Sequence, residues 1–123
     1  MFQGRKTVSS SLGTSAEVQA EKFLVQQGLR PHARNYRCRL GEIDLIMQDA
    51  DTLVFVEVRL RTNTRFSSAA ESVDHRKQQK LLRAAQFYLQ QHQLTESVQC
   101  RFDVVAFTGS RTIPEWIQNA FAG

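Results

Sequence analysis

The sequence predicts an α/β domain, a mixed β-sheet covered by helices. Three observations carry this expectation. Two strongly β-forming runs, Glu42 to Met47 and Leu53 to Val58, flank the short acidic turn Asp49-Ala50-Asp51. Stretches with apolar residues at helical spacing stand before and after that hairpin. The resulting order of helix, strands, helix, strand and helix suits a sheet with helices against it. The 123 residues fit one domain with one core. That domain is expected over residues 13–123, behind a flexible tail over residues 1–12.

The first helix is expected over about residues 14–27. Ala16, Ala20, Phe23 and Leu24 form its apolar stripe, and Gly28 fits the stop. Thr14 and Glu17 have the spacing of a capping box. Glu17 falls about a quarter-turn from the stripe's centre. An arginine-rich strand follows over about residues 33–39, and then the hairpin. Residues 60–72 are rich in Thr, Asn and Ser and read as a mobile loop. A long second helix spans about residues 73–93, with Val73, Leu81, Ala84, Ala85 and Tyr88 as its stripe. A strand over about residues 98–107 comes next. A short terminal helix over residues 114–121, with Pro114 in its first turn, ends the chain.

Composition narrows the setting. The apolar fraction of 41% is ordinary for a globular protein and argues against disorder. No apolar run approaches the ~18–20 residues needed to cross a bilayer, and none has signal-peptide length. The expected location is the cytoplasm, with no membrane partner. Cys38 and Cys100 have no CxxC spacing, so a zinc ribbon is excluded and buried reduced thiols are expected. The net charge of +4 is weak support for a nucleic-acid partner, but its distribution says more. Arginines cluster over residues 30–39 and 59–65, and cations again over 76–83. Arginine forks suit phosphate oxygens, although exposed arginines are also ordinary solvated surface.

The hairpin carries the chemistry. Residues two apart in a strand share a face, so Glu42 and Asp44 are expected on one face, with Ile43 and Leu45 on the other. Glu57 and Arg59 share a face with Phe55, while Val54, Val56 and Val58 line the opposite, buried one. A two-residue or four-residue turn sets Asp44 directly across from Glu57, whereas a three-residue turn does not. Like charges directly opposite destabilise a sheet. A shared Mg²⁺, which prefers carboxylate oxygens, removes that penalty. The alternative is one acid in solvent and the other paired with Arg59 or a nearby arginine.

The segments Gly41-Glu42-Ile43-Asp44-Leu45-Ile46, Val54-Phe55-Val56-Glu57-Val58-Arg59 and Arg101-Phe102-Asp103-Val104-Val105 stand in this order along the chain. With Glu17, Asn35 and the spacing Val73, Lys77, Leu81, they resemble the YraN family of small bacterial proteins. The resemblance covers about residues 13–121. It implies distant kinship with Holliday-junction resolvases, hence a restriction-endonuclease-like α/β fold of the PD-(D/E)XK type. It implies Asp44 and Glu57 as ligands of Mg²⁺ or Mn²⁺, joined by the Val58 carbonyl and with Glu17 nearby.

In that motif the residue two after the glutamate is lysine, and here it is Arg59. Arginine stays protonated and cannot serve as a general base. It can still stabilise charge on a phosphate. Lys77 is the candidate substitute, because it falls inside the apolar stripe of the second helix. The bland alternative is an ammonium reaching out to water over a packed stem. The expected catalytic set is therefore Asp44, Glu57, Arg59 and Lys77, with Arg61, Arg65, Arg76 and Lys80 on the nucleic-acid backbone. Asp103, between Phe102 and Val104, reads as structural in preference to an added ligand.

The expectation is a metal-dependent endonuclease-like protein acting on DNA, with branched DNA suiting a homodimer. The alternatives are a non-catalytic nucleic-acid-binding module with the same fold, which Arg59 keeps open, and a protein-interaction scaffold.

Overall fold

The computed structural model describes residues 11–61, 73–94, 98–109 and 113–121. The elements are α1 (Ser11–Gln26), β1 (Arg30–Cys38), β2 (Gly41–Asp49), β3 (Thr52–Arg61), α2 (His75–Gln91), β4 (Gln99–Thr108) and β5 (Glu115–Ile117). The strands form one mixed sheet in the order β1-β2-β3-β4-β5. Strands β1, β2 and β3 run as an antiparallel meander, β4 lies parallel to β3, and β5 is antiparallel to β4. The α/β class expected from the sequence is met.

Both sheet faces are apolar because each carries a helix. Along β3 the residues alternate between two cores. Leu53 and Phe55 join Leu81, Ala84, Ala85 and Tyr88 of α2. Val54 and Val56 join Ala16, Ala20 and Leu24 of α1. This explains why β3 reads as a continuous apolar run rather than an alternating one.

The hairpin closes at Asp49↔Thr52, which leaves Ala50-Asp51 as a two-residue turn. Ala50 takes φ of 53°, a left-handed conformation that hairpin turns require and that glycine adopts more easily. The even turn sets the expected register, and the paired ladder runs back to Leu45↔Val56.

Several boundaries differ from expectation. Helix α1 begins at Ser11, inside the expected tail, so the Thr14–Glu17 spacing lies within the helix and is not a cap. The rest of the tail, residues 1–10, lies outside the described residues. Leu60 and Arg61 extend β3 instead of opening a loop, and residues 62–72 lie outside the described residues. Asp74, not Val73, begins α2, where its side chain accepts from the Lys77 N–H. Cys100, expected to be buried, is exposed at the start of β4.

The largest correction is at the C-terminus. The expected helix over 114–121 is strand β5, paired Val104↔Ile117, Val105↔Trp116 and Ala106↔Glu115. The open edge of β4 offers ladder partners that a short helix would leave unused, and Asn119 at φ of 53° turns the chain away.

Asp103 holds this arrangement. It is fully buried, yet its Oδ1 accepts from Arg101 Nε at 3.0 Å and the Asn119 N–H at 2.9 Å. Its Oδ2 accepts from Trp116 Nε1 at 2.9 Å. Arg101 Nη1 also reaches Asp49 at 2.9 Å, which ties the hairpin tip to β4. Asp103 therefore has a structural role. Asp103→Ala removes the shared acceptor of the half-buried Arg101 and Trp116 and of the Asn119 N–H, leaving Arg101 only Asp49, so it should lower stability by about 3–5 kcal/mol in urea denaturation followed by circular dichroism. A loss below about 1 kcal/mol would show that the network is dispensable.

Candidate active site

The site forms where the regular sheet lapses. The sequence expectation that Ile43 and Leu45 share a face is not met. Ile43 joins Ile46 in the α2-side core, and Leu45 joins Met47 in the α1-side core. The same change of phase occurs across the ladder, where both Ala33 and Tyr36 pack against the α2-side core. Between these residues stand Asn35 and Asp44. The ladder pairs Arg34 with Leu45 and Tyr36 with Ile43, passing over both. Asn35 takes φ of 56°, which an asparagine tolerates better than most residues. The two strands thus share one kink, with Asp44 on it.

The kink also ends the pairing of β2 with β3. One step past Leu45↔Val56, Asp44 stands across from Glu57, as the even turn predicts. There the Val58 N–H donates to Asp44 Oδ2 at 2.8 Å, so a side chain satisfies a donor that the ladder no longer serves. The strands part, and an open cleft of about 310 Å³ lies beside them, lined by Glu17, Asp44, Glu57, Val58 and Arg59 among others.

Glu57 is the buried member, 4% exposed. Its Oε2 lies 3.3 Å from Arg59 Nη1 and 3.7 Å from Lys77 Nζ. Its Oε1 is buried with no hydrogen-bond partner. Burial above all, then the neighbouring Asp44 charge, pushes its pKa up to about 7, with Lys77 and Arg59 opposing. Glu17, on α1, is also raised to about 7, first by burial and then by Asp44, while a hydrogen bond from Asn35 pulls the other way. Asp44 therefore stands between Glu17 and Glu57 and raises each both by its charge and by a side-chain hydrogen bond.

Such a set favours a bound cation. Asp44 and Glu57 present hard oxygen donors, and the Glu57 Oε1 atom lacks the partner that a buried oxygen needs. Among the described residues no group of three acids, histidines or cysteines makes a ready cage. Two carboxylates side by side would suit a cation such as Mg²⁺, which takes oxygen donors and keeps part of its water shell.

Helix α2 is held close to the start of β2 by Gly41. A Cβ there would lie 2.9 Å from the Lys80 carbonyl oxygen, so only glycine allows this approach. The contact keeps the helix that carries Lys77 beside the strand that carries Asp44.

The structure brings Glu17, Asp44, Glu57 and Arg59 to one cleft, with Lys77 ion-paired to Glu57. It does not bring the Arg61 side chain to the surface. That side chain is 7% exposed and meets Glu115 at 3.9 Å, because β3 extends to Arg61 and β5 lies beyond β4. The Arg61 side chain is thus turned toward Glu115, while the residue as a whole is half-buried. Arg76 and Lys80 lie exposed on α2, and Arg65 lies outside the described residues. Asn35 was not expected to act on the site. Its signals were its place among the residues of the family resemblance and an asparagine inside a strand, where that residue is unusual.

Fold and site together define an α/β domain with an acid-lined cleft where two central strands part. Comparison with known proteins then gives a family. The model of the "Uncharacterised protein family UPF0102" matches residues 16–107. A UPF0102 protein of Saccharophagus degradans is 56% identical over 109 residues, covering 89% of this chain and 91% of its own length. A UPF0102 protein of Aeromonas hydrophila is 54% identical over 112 residues, covering 90% and 85%. One of Nitrosomonas eutropha is 57% identical over 109 residues, covering 89% and 91%. The chain belongs to the UPF0102 family. No helix among the described residues is long and apolar enough to cross a membrane.

The raised carboxyls make a pH prediction. A carboxyl with folded pKa near 7 and an ordinary value of 4.5 keeps its proton longer in the folded chain. Between those values the folded state binds more protons, so their contribution to stability falls as pH rises. With chelator present, Glu57→Gln removes one such contribution. Thermal melts should show the variant gaining on the wild type between pH 4.5 and pH 7, by on the order of 1–3 kcal/mol. A difference that stays flat with pH would place the strain elsewhere.

Proposed function

We propose that this chain is a metal-dependent endonuclease-like protein acting on DNA phosphodiesters, with a restriction-endonuclease-like core. The mixed sheet flanked by helices is compatible with that core. The observation that carries the proposal is the divided surroundings of Glu57. One oxygen faces Arg59 and Lys77, and the other is buried without a partner. A carboxylate in that state is suited to hold a cation on one side and cationic phosphate ligands on the other.

Asp44 and Glu57 hold Mg²⁺ or Mn²⁺, with the Val58 carbonyl available beside them. When bound, the cation supplies Lewis acidity toward water and phosphate oxygen. Arg59 stays protonated and stabilises negative charge developing on the phosphate. Lys77, ion-paired to the same Glu57 oxygen, shares that role. Glu17, with a pKa near 7, exists in both protonation states at neutral pH and is placed to relay a proton along the cleft. Arg76 and Lys80 stand on α2 for backbone contacts.

A second reading is favoured by Arg59 itself. With arginine in the motif's lysine position, the fold serves as a nucleic-acid-binding module without cleavage.

Incubation with branched, duplex and single-stranded DNA, with and without Mn²⁺, separates the two. Cleavage should require the metal and vanish in Asp44→Ala purified in parallel. Lys77→Ala should lower the rate by about 10²-fold, and Lys80→Ala by much less. Equal effects of the two lysine changes remove Lys77 from the site. Binding without cleavage in every arm establishes the module instead.

A further inference from the structure

We propose that the exposed side of β1, through Arg34 and Arg37, is a track for nucleic-acid backbone phosphates leading into the Asp44–Glu57 cleft. The inference rests on the nucleic-acid reading above and names the surface that engages that partner. Strand β1 is an edge of the sheet. From Leu29 to Leu40 the chain carries Arg30, His32, Arg34, Arg37 and Arg39 and no acid.

The kink decides where two of these point. Ala33 and Tyr36 turn toward the α2-side core, and Arg34 and Arg37 stay out of it. Their side chains are 45% and 73% exposed. Arg34 meets Glu21 of α1 at 3.9 Å, and Arg37 meets Glu42 at 3.9 Å. Both separations exceed hydrogen-bond reach, so neither ion pair commits its guanidinium fork. Arg34 directly precedes Asn35, which stands across from Asp44 and hydrogen-bonds Glu17, and Arg37 follows two residues on. Cations and cleft therefore share one wall.

The same strand argues against other occupants. A peptide added along the edge needs an unbroken row of backbone donors. Pro31 lacks an N–H, the pairing shifts between Pro31 and Ala33, and Asn35 bends the strand. A second copy of β1 would bring like charges together. A phosphate backbone needs no strand register, and its oxygens match guanidinium forks.

The test is fluorescence anisotropy with a short labelled DNA duplex in chelator, so that no cleavage intervenes. Arg34→Gln with Arg37→Gln is compared with Lys22→Gln plus Arg83→Gln, which removes equal charge from exposed sites on α1 and α2. The β1 pair should weaken binding about tenfold or more and reduce the salt slope by roughly 1–2, about one unit for each phosphate no longer neutralised. The control pair should stay within about twofold. Equal weakening by both pairs overturns the track and leaves nucleic-acid binding standing. A parallel drop in polyglutamate binding by the β1 pair overturns it in favour of an acidic protein partner. No binding by the wild type at low salt overturns the nucleic-acid reading itself. Matching melting curves for the variants and the wild type exclude misfolding as the cause.

Discussion

The bond from the Val58 N–H to Asp44 Oδ2 stands at the point on which the rest of the site depends. Beyond Leu45↔Val56 the strands β2 and β3 no longer pair. Parting two central strands leaves backbone groups unsatisfied inside the protein, at a cost comparable to lost hydrogen bonds. The Asp44 carboxylate meets one of these donors. By doing so it lets the sheet open without stranding that N–H, and it is itself held at the mouth of the opening. One interaction both permits the cleft and aims its acid.

Opening the sheet there also shapes the electrostatics. Glu57 follows Val56 on β3 and is carried into the gap with almost no solvent contact. A lone buried carboxylate would take up a proton. Lys77 and Arg59 lower that tendency, and Asp44 raises it. The balance leaves Glu57 and Glu17 titrating near neutral pH, where their charge responds to whatever enters the cleft. A positive charge in the cleft would favour the ionised forms of Glu17 and Glu57. Asp44 raises both Glu17 and Glu57, so the cleft concentrates negative charge around one aspartate. Active sites commonly hold groups in this condition.

Much of this was legible in the sequence, and the reasons differ by element. Two β-forming runs around Asp49-Ala50-Asp51 signal a hairpin, and either even turn length opposes Asp44 and Glu57; the pairing Asp49↔Thr52 then decides for the two-residue turn. Lys77 inside an apolar stripe signalled a cation with a destination. The phase change at Asn35 and Asp44 was not legible. Strict alternation puts Ile43 and Leu45 on one face, because a kink shared by two strands leaves the pairing arithmetic intact while exchanging the faces. Strand β5 was also hidden. Residues 114–121 have ordinary helix-compatible chemistry, and only the open edge of β4, a long-range partner, draws Glu115 to Ile117 into the sheet. The turn of the Arg61 side chain was hidden for the same reason, since its neighbour Glu115 arrives on that strand.

The two cations at Glu57 reach it from different elements, and that division has consequences. Arg59 is two residues along the same strand, so its position follows from β3 alone. Lys77 comes from α2 and depends on how that helix is seated. The seat is the contact of Gly41 with the Lys80 backbone, one helical turn from Lys77. Gly41 also begins the strand that leads to Asp44 and its kink. A single glycine thus couples the approach of Lys77 to the strand that positions Asp44. The place of Arg59 follows from its own strand, and that of Lys77 is conditional on packing. The two positive charges at Glu57 are therefore set by different parts of the fold.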